Sequence, residues 1–172
     1  MDYAEDYYKG IAGIYFKRVL RTLIKMGGLR EELGLILDFG CGVGHLKKAL
    51  PGKTILGYDI LPENTEVKDY RDLKPDFIVC NAVLEHLDEA QLREALDNFK
   101  KMNPRAALLV ALPTENFVSK IGMVLTGYTT AHDDHKLKLK AVNKVLSEYA
   151  ERKDRKMIFT MMEVAKWQLK EG

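Results

Sequence analysis

The chain has 172 residues, of which 47% are apolar and 30% charged, so we expect one globular domain with a sizeable core. The net charge of +2 gives no electrostatic case for nucleic acid or an anionic membrane as the partner. No apolar run approaches the roughly 18 residues that span a bilayer, and the N-terminus lacks the apolar core of a signal peptide. Cys41 and Cys80 are far apart, so we expect no disulfide framework, no cysteine zinc site and a cytoplasmic location.

The first predicted element is an amphipathic helix over residues 4–26, where apolar residues recur at helical spacing until Gly27-Gly28. Residues 35–39 form a short, nearly continuous apolar run, which is typical of a parallel strand buried on both faces. A glycine-rich turn follows at 40–44. It leads into a short helix at 45–50 and a second strand at 54–59.

Strands and helices continue to alternate in the rest of the chain. The segment 60–74 is short and polar, with at most a small strand near Val67. The later predicted elements are a strand at 76–81, a helix at 88–102 with Asp88 as its N-cap, a strand at 106–112, a loop with one short helix at 114–135, and a helix at 136–150. The tail at 156–169 favours a strand by composition, although it has no obvious turn and a helix remains open.

This alternation predicts an α/β fold with a parallel sheet and helices on both faces. Ligands on such sheets bind at the carboxyl ends of the strands, near the switch in strand order. The expected site therefore includes the turn at 40–44, Asp59 and the segment after Asn81.

The most informative stretch is LDFGCGVG, together with the acidic residue that ends the next strand. Gly40, Gly42 and Gly44 let the backbone turn tightly and let a ligand approach, and amides at a helix start favour an anionic group. Asp59 lies nineteen residues after Gly40, where a carboxylate can accept hydrogen bonds from both ribose hydroxyls. The pattern indicates an adenosine-containing ligand whose acidic end rests on the glycine turn.

Two competing phosphate-binding motifs fit less well. A dinucleotide fingerprint needs a sixth-position glycine where this chain has His45, which disfavours NAD. Gly52-Lys53-Thr54 is similar to the end of a P-loop, but Lys47 stands where that motif needs glycine, and a strand rather than a helix follows.

With these motifs, the chain resembles the class I S-adenosylmethionine-dependent methyltransferases, in particular the small-molecule type 11/12 domain family. LDFGCGVGHL at 37–46, GYDI at 57–60, DFIVCNAVLEHLDE at 76–89 and AALLVALP at 106–113 are similar to four motifs of that family. The resemblance implies methyl transfer from S-adenosylmethionine to a small acceptor at O, N or C, with S-adenosylhomocysteine as the other product. It also implies a Rossmann-like, doubly wound, mostly parallel seven-stranded sheet. The single domain would comprise a helical cover at 1–30, a cofactor-binding half at 35–112 and an acceptor-side half at 113–172.

The same resemblance implies the cofactor site. Asp38 and the glycines would line the methionine end, Asp59 would hold the ribose, and Asn81 with Ala82 would border the sulfonium. The full set of expected cofactor-binding residues is Tyr15, Asp38, Gly40, Cys41, Gly42, Gly44, Asp59, Ile60, Asp69, Tyr70, Asn81 and Ala82.

The chain departs from the family between the second and third strands, where about sixteen residues replace a full crossover helix. Asp69 and Tyr70 are the candidates for contact with adenine. It is equally consistent with the sequence that Asp69 is simply an exposed charge and Tyr70 a half-buried aromatic residue, with no ligand contact.

The sequence gives fewer signals for the site that binds the methyl acceptor than for the cofactor site. The residues after the fourth strand, Asn81 to Leu84, lack the [DN]PP[FYW] tetrapeptide with which DNA amine methyltransferases hold a flipped base, so a nucleic-acid base is a poor candidate. His86 is a candidate base if the acceptor must lose a proton, or else it fixes the loop.

His132 is a second candidate base, in the cluster His132-Asp133-Asp134-His135. We expect no metal there, because adjacent ligands rarely reach a common centre, and we expect Asp134 to cap the next helix. Residues 114–131 either cover the acceptor pocket or pack into the core. Other open interpretations are a protein that binds the cofactor without catalysis, an NAD enzyme, and an interaction protein on the same fold.

Overall fold

A computed structural model of the chain describes residues 10–114 and 136–171, with residues 10–12 described by their backbone alone. Four α-helices lie in this part of the chain: α1 (Gly10–Gly27), α2 (His45–Ala49), α3 (Glu89–Met102) and α4 (Leu139–Tyr149). The strands are β1 (Ile36–Phe39), β2 (Ile55–Tyr58), β3 (Phe77–Asn81), β4 (Ala107–Pro113), β5 (Ala150–Ile158) and β6 (Met162–Leu169). Single 3-10 turns occur at Tyr70–Asp72 and Leu84–His86.

The six strands form one mixed sheet in the order β2-β1-β3-β4-β6-β5. The first four are parallel to one another, whereas β6 is antiparallel to both β4 and β5. The strand order reverses at β1, since β2 lies on one side of it and β3 on the other. This confirms the predicted Rossmann-like, mostly parallel α/β fold and its switch point beside the glycine turn.

Both faces of the sheet are buried, which explains why its central strands are apolar without alternation. On one face, α3 and α4 pack on the sheet through side chains that include Leu92, Leu96, Phe99, Val145 and Leu146. On the other face, α1 and α2 pack on it through Val19, Leu23, Ile24 and Leu46.

Helix α3 begins as the sequence predicts, because the Asp88 side chain accepts a hydrogen bond from the Gln91 N–H and the Gln91 side chain accepts one from the Asp88 N–H. This reciprocal capping box satisfies two amides that would otherwise lack partners. The last predicted helix, at 136–150, is present, but its start and its cap were predicted wrongly. Helix α4 begins at Leu139 with Lys138 at the N-cap position, so Asp134 is too far along the chain to cap it.

The described residues hold six strands where the resemblance predicts seven, because no strand forms near Val67. In the described part of the chain, β2 is thus an edge strand, and Glu66 pairs with it there. Its N–H donates to the Gly57 carbonyl at 2.8 Å, and its Oε2 accepts from the Gly57 N–H at 3.0 Å. One residue therefore occupies the place where a neighbouring strand would satisfy the edge.

The tail forms two strands, β5 and β6, joined by a tight turn at residues 158–161 that the sequence does not signal with glycine or asparagine. The strand at 156–169 was correctly favoured over a helix. The beginning of β5 was missed because residues 151–157 are exposed and almost entirely charged, without alternation.

None of the helices in residues 10–114 and 136–171 is long and apolar enough to cross a membrane.

Candidate functional site

The glycine turn connects β1 to α2 at the carboxyl edge of the sheet. Gly40, Gly42 and Gly44 all have positive φ, of 74°, 49° and 74°. At Gly40 there is also no room for a side chain, since a Cβ atom would lie 2.4 Å from the Val83 side chain. All three glycines thus suit the backbone conformation, and Gly40 is also needed for close approach of the segment after β3.

Asp59 follows the last residue of β2 and reaches the glycine turn directly. Its Oδ2 accepts a hydrogen bond from the Gly42 N–H at 2.8 Å, and its Oδ1 accepts one from the Leu61 N–H at 3.0 Å. These two bonds fix the orientation of the carboxylate. Each oxygen retains a second lone pair, so the group can also accept hydrogen bonds from a pair of ligand hydroxyls.

A cavity of about 420 Å³ lies beside the turn. Its lining includes Asp38, Gly42, Lys47, Thr65 and Glu66. Asp38 is only 4% exposed, and burial, followed by the nearby Asp59 and Glu66 carboxylates, raises its pKa to about 7. The concentration of carboxyl groups favours a cationic or hydroxyl-bearing ligand.

Cys41 and Ile60 also lie at this edge. Cys41 Sγ donates to the Asn64 carbonyl at 3.4 Å, and burial, then Asp38 and Asp59, raises the pKa of the thiol to about 12, so it is no nucleophile at neutral pH. Ile60 is 89% exposed beside Asp59, and an apolar side chain there can pack on a ligand ring.

A second cavity, of about 300 Å³, lies between the end of β2 and helix α3. Asp69, Tyr70 and Leu87 line it, and the rings of Phe39 and Tyr58 lie at its wall. Tyr58 and Tyr70 have ring centroids 4.7 Å apart, and Phe39 stacks on Tyr58 at 5.5 Å. The aromatic wall suits a flat heterocycle.

Asp69 and Tyr70 hold this cavity in shape by local hydrogen bonds. Asp69 caps its 3-10 turn through the Arg71 N–H at 2.9 Å and pairs with the Arg71 guanidinium, whose hydrogen bonds lower the Asp69 pKa to about 2. Tyr70 Oη accepts from Asn98 Nδ2 at 3.3 Å.

The segment after β3 contains strained and unpartnered groups. Ala82 has a φ of +55°, a conformation that non-glycine residues rarely adopt and that often marks functional sites. Asn81 Oδ1 beside it is buried and has no hydrogen-bond partner. Glu85 is 3% exposed with an unpartnered Oε2, and burial raises its pKa to about 8.

The structure brings most of the expected residues to one edge of the sheet. His86 lies there too, exposed in the 3-10 turn after β3. Tyr15 of α1 packs edge-on against Phe16 and lies 6.4 Å from the Phe159 ring, and burial raises the pKa of its phenol. His132, its neighbours 133–135 and most of the proposed cover at 114–131 lie outside the described residues.

Three residues at this edge were missed by sequence reasoning: Glu66, Glu85 and Phe159. Glu66 lies in a polar loop without periodicity, and Glu85 was passed over for His86 beside it. Phe159 occupies a turn that lacks the usual turn residues. In the described part of the chain, no three His, Cys, Asp or Glu residues are placed to hold a metal.

Comparisons with known proteins agree with this geometry. A family model described as "Methyltransferase domain" matches residues 11–156. No curated protein sequence matches the chain significantly.

Solved structures with the same fold are numerous, and three of them illustrate their range. Magnesium protoporphyrin IX methyltransferase from Synechocystis, solved with bound S-adenosylhomocysteine, is 16% identical with a TM-score of 0.70, over 98% of this chain and 93% of that one. The N-methyltransferase NodS from Bradyrhizobium japonicum, solved with the same ligand, is 19% identical with a TM-score of 0.64, over 91% and 88%. The small RNA methyltransferase HEN1 is 21% identical with a TM-score of 0.65, over 91% of this chain and 25% of that one.

Proposed function

Because this chain belongs to the methyltransferase domain family, we propose that it is an S-adenosylmethionine-dependent methyltransferase that acts on a small-molecule acceptor. The observation that carries the proposal is the direct contact between the glycine turn and the Asp59 carboxylate at the carboxyl edge of the sheet. S-adenosylhomocysteine is the other product. The acceptor atom is O, N or C.

The residues at the edge fit the cofactor. The glycine turn, where Gly40 leaves no room for a Cβ atom and Gly42 has a positive φ, accommodates the methionine end, with the buried Asp38 carboxyl as a partner for its ammonium group. Asp59 accepts hydrogen bonds from the two ribose hydroxyls. The aromatic-walled cavity beside Asp69 and Tyr70 takes the adenine. The exposed Ile60, next to Asp59, is the proposed apolar contact for the ligand.

The bound cofactor supplies an electrophilic methyl group, and the protein aligns the acceptor with it. An electron pair of the acceptor would form the new bond to the methyl carbon as the carbon–sulfur bond breaks, and the electrons of the broken bond would stay on sulfur. Most of the rate enhancement comes from holding the two partners close and in line. We assign part of this alignment to Asn81 at the end of β3, because its side-chain oxygen Oδ1 is buried and has no hydrogen-bond partner within the described part of the protein.

An acceptor hydroxyl would also have to lose a proton, and His86 is the proposed base because it lies on the turn that follows β3. His132 remains a second candidate. If His86 is the base, His86→Ala should lower kcat by about 10²- to 10⁴-fold with cofactor affinity unchanged. Equal kcat in the two proteins would give His86 a structural role only.

A small molecule is the favoured acceptor because the net charge of +2 offers little attraction for a polyanion. Among the three similar structures described above, one is a magnesium protoporphyrin IX methyltransferase and one an N-methyltransferase, whereas HEN1 is a small RNA methyltransferase. A methylation assay on metabolite extracts and on total RNA, with release of S-adenosylhomocysteine as the readout, separates these acceptors.

The cofactor site is tested by calorimetric titration with S-adenosylmethionine. Asp59→Asn removes the charge and one acceptor, and should weaken binding by about 1.5–3 kcal/mol, the usual contribution of hydrogen bonds to a charged group. The matched control is Asp97→Asn, at an exposed position on α3.

Circular dichroism must show that Asp59→Asn is folded, since Asp59 also orders two backbone amides. Equal affinity in folded Asp59→Asn would refute the role in ribose binding. Uptake of cofactor without any turnover would identify a binding protein instead of an enzyme.

A further inference from the structure

The turn between β5 and β6 has a costly conformation. The Met161 N–H donates to the Ile158 carbonyl at 2.9 Å, and the two central residues, Phe159 and Thr160, have φ values of 48° and 57°. Such a two-residue turn with both φ angles positive strongly prefers Asn-Gly or another glycine-containing pair. A β-branched residue such as Thr160 in this region is a true outlier.

Neighbouring groups hold the strained turn in place. Thr114, which is 7% exposed, donates its N–H to the Met161 carbonyl at 2.8 Å and its hydroxyl to the Thr160 carbonyl at 2.5 Å. Because Met162 pairs with Pro113 at the end of β4, the turn lies at the carboxyl edge of the sheet. This is the edge that carries the glycine turn and Asn81.

Core packing does not explain why the position carries a phenylalanine, since the Phe159 side chain is 58% exposed. The Arg18 guanidinium carbon lies 5.2 Å from the centre of the Phe159 ring, within the range of a cation–π contact. The Tyr15 ring lies 6.4 Å away on the same helix, α1. Two aromatic rings and one cation therefore meet at this edge, on a turn that is strained to present one of the rings.

The distance from this group to the methyl-transfer position suits a substrate. The turn belongs to β6, which is separated from β3 and Asn81 by β4 alone. Asn81 is level with Val164 of β6 through Ala111, so the turn lies two strand spacings to the side and about four residues further along, roughly 15 Å from Asn81. A molecule whose reacting atom lies at Asn81 can thus extend its body to the turn.

We propose that Phe159, Tyr15 and Arg18 form the subsite that binds the body of the methyl acceptor, and that this subsite selects a flat, conjugated molecule with an acidic group. The aromatic rings bind the flat face, and Arg18 pairs with the acid. This inference rests on the proposed function and assigns a substrate class to it.

The test uses 2-naphthoate as the probe, titrated calorimetrically into the full chain with and without saturating S-adenosylhomocysteine. The wild-type protein should bind 2-naphthoate more tightly than cyclohexanecarboxylate, by roughly fivefold or more, since only the former is flat and aromatic. The double substitution Phe159→Asn with Thr160→Gly supplies the preferred turn residues. It should raise Tm, weaken 2-naphthoate binding by roughly fivefold or more, and leave cofactor affinity within about twofold.

Arg18→Gln should weaken 2-naphthoate in the same way and leave the uncharged 2-naphthalenemethanol unaffected. Leu33→Asn, at a position that is 92% exposed, is the control and should change neither ligand. Uptake of S-adenosylhomocysteine without uptake of 2-naphthoate would overturn the subsite and spare the methyltransferase proposal. The subsite would also fall if the double variant bound 2-naphthoate as the wild type does. Failure to take up S-adenosylhomocysteine would instead count against the proposed function, and the titration without it would still decide the subsite.

Discussion

Asp38, one residue before the end of β1, is a carboxyl group whose protonation changes near neutrality. Its pKa is raised to about 7 by burial and by two neighbouring carboxylates. If the ammonium and sulfonium groups of S-adenosylmethionine bind near it, they favour the ionised form, and affinity depends on the fraction of protein already ionised. That fraction rises about tenfold between roughly pH 6 and pH 8 for a pKa near 7.

We therefore expect the affinity for S-adenosylmethionine to rise by up to about tenfold over this range, equivalent to about 1.4 kcal/mol. Asp38→Asn should bind the cofactor more weakly at about pH 8 and show no such rise. Calorimetry at several pH values in buffers of matched ionic strength measures both effects. A pH slope that persisted in the Asn variant would assign it to another group.

At the scale of single residues, the sequence was sufficient to locate groups that are recognised by their residue type and by their spacing within a motif. The glycines at 40, 42 and 44 and the carboxylate at 59 are of this kind, and the structure brings them together. Glu66, Glu85 and Phe159 could not be located in this way. Each acquires its role from contacts or burial that depend on the folded chain, and the residue type alone does not distinguish it from an ordinary loop residue.

At the scale of elements, Glu66 shows how a shortened crossover is accommodated. Its backbone and carboxylate satisfy Gly57 at the edge of β2, and its carboxylate also pairs with Lys47 of α2. The Lys47 hydrogen bond, above all, lowers the Glu66 pKa, so this contribution to stability is present above the usual pKa of a glutamate and is lost as the pH falls through the lowered value.

Glu66→Ala leaves the part-buried Gly57 N–H without its partner, and we expect a loss of about 1–2 kcal/mol in the free energy of unfolding. Glu66→Gln retains an acceptor for Gly57 and loses only the charge pairing with Lys47, so it should cost about 0–1 kcal/mol. Urea denaturation of the two variants measures the difference. Equal losses would mean that the ion pair, and not the edge hydrogen bond, is the stabilising contact.

Elements with a buried face were predictable, and those without one were not. β1, β3 and β4 are apolar runs buried on both faces, and their predicted bounds differ from the observed ones by at most one residue. Most of β5 is exposed and charged, so its pairing with β6 leaves no hydrophobic pattern in its sequence. The turn at Phe159 was missed because Phe159 and Thr160 have positive φ values, which the sequence would normally signal with glycine or asparagine.

At the scale of the whole molecule, the sheet has a core on each face, and its order follows from the alternation of elements with right-handed crossovers. The sequence could not predict that the sheet stops at β2. Another strand forms only if residues 60–74 bury enough apolar surface to offset the conformational entropy lost on ordering them. Their polar composition is compatible with a small strand or with none. The assignment of residues 1–172 to a single domain remains a prediction.

The two buried carboxyl groups make a prediction for the stability of the whole molecule. Burial raises the pKa to about 7 for Asp38 and to about 8 for Glu85, whereas in the unfolded chain both have ordinary values near 4. Between these limits the native state binds more protons than the unfolded state, so the free energy of unfolding must fall as the pH rises. Each group can lower it by up to about 4 kcal/mol, and the loss is complete above the folded-state pKa.

We expect the stability of the protein without added cofactor to decrease from about pH 5 to about pH 9, measured by urea denaturation at constant ionic strength. The double variant Asp38→Asn with Glu85→Gln should flatten this decrease and be more stable than the wild type at the alkaline end, because neutral amides replace groups that must ionise in a buried place. Asp97→Asn, an exposed control, should follow the wild-type curve. If the double variant showed the same decrease as the wild type, the decrease would have to come from groups other than these two carboxyls.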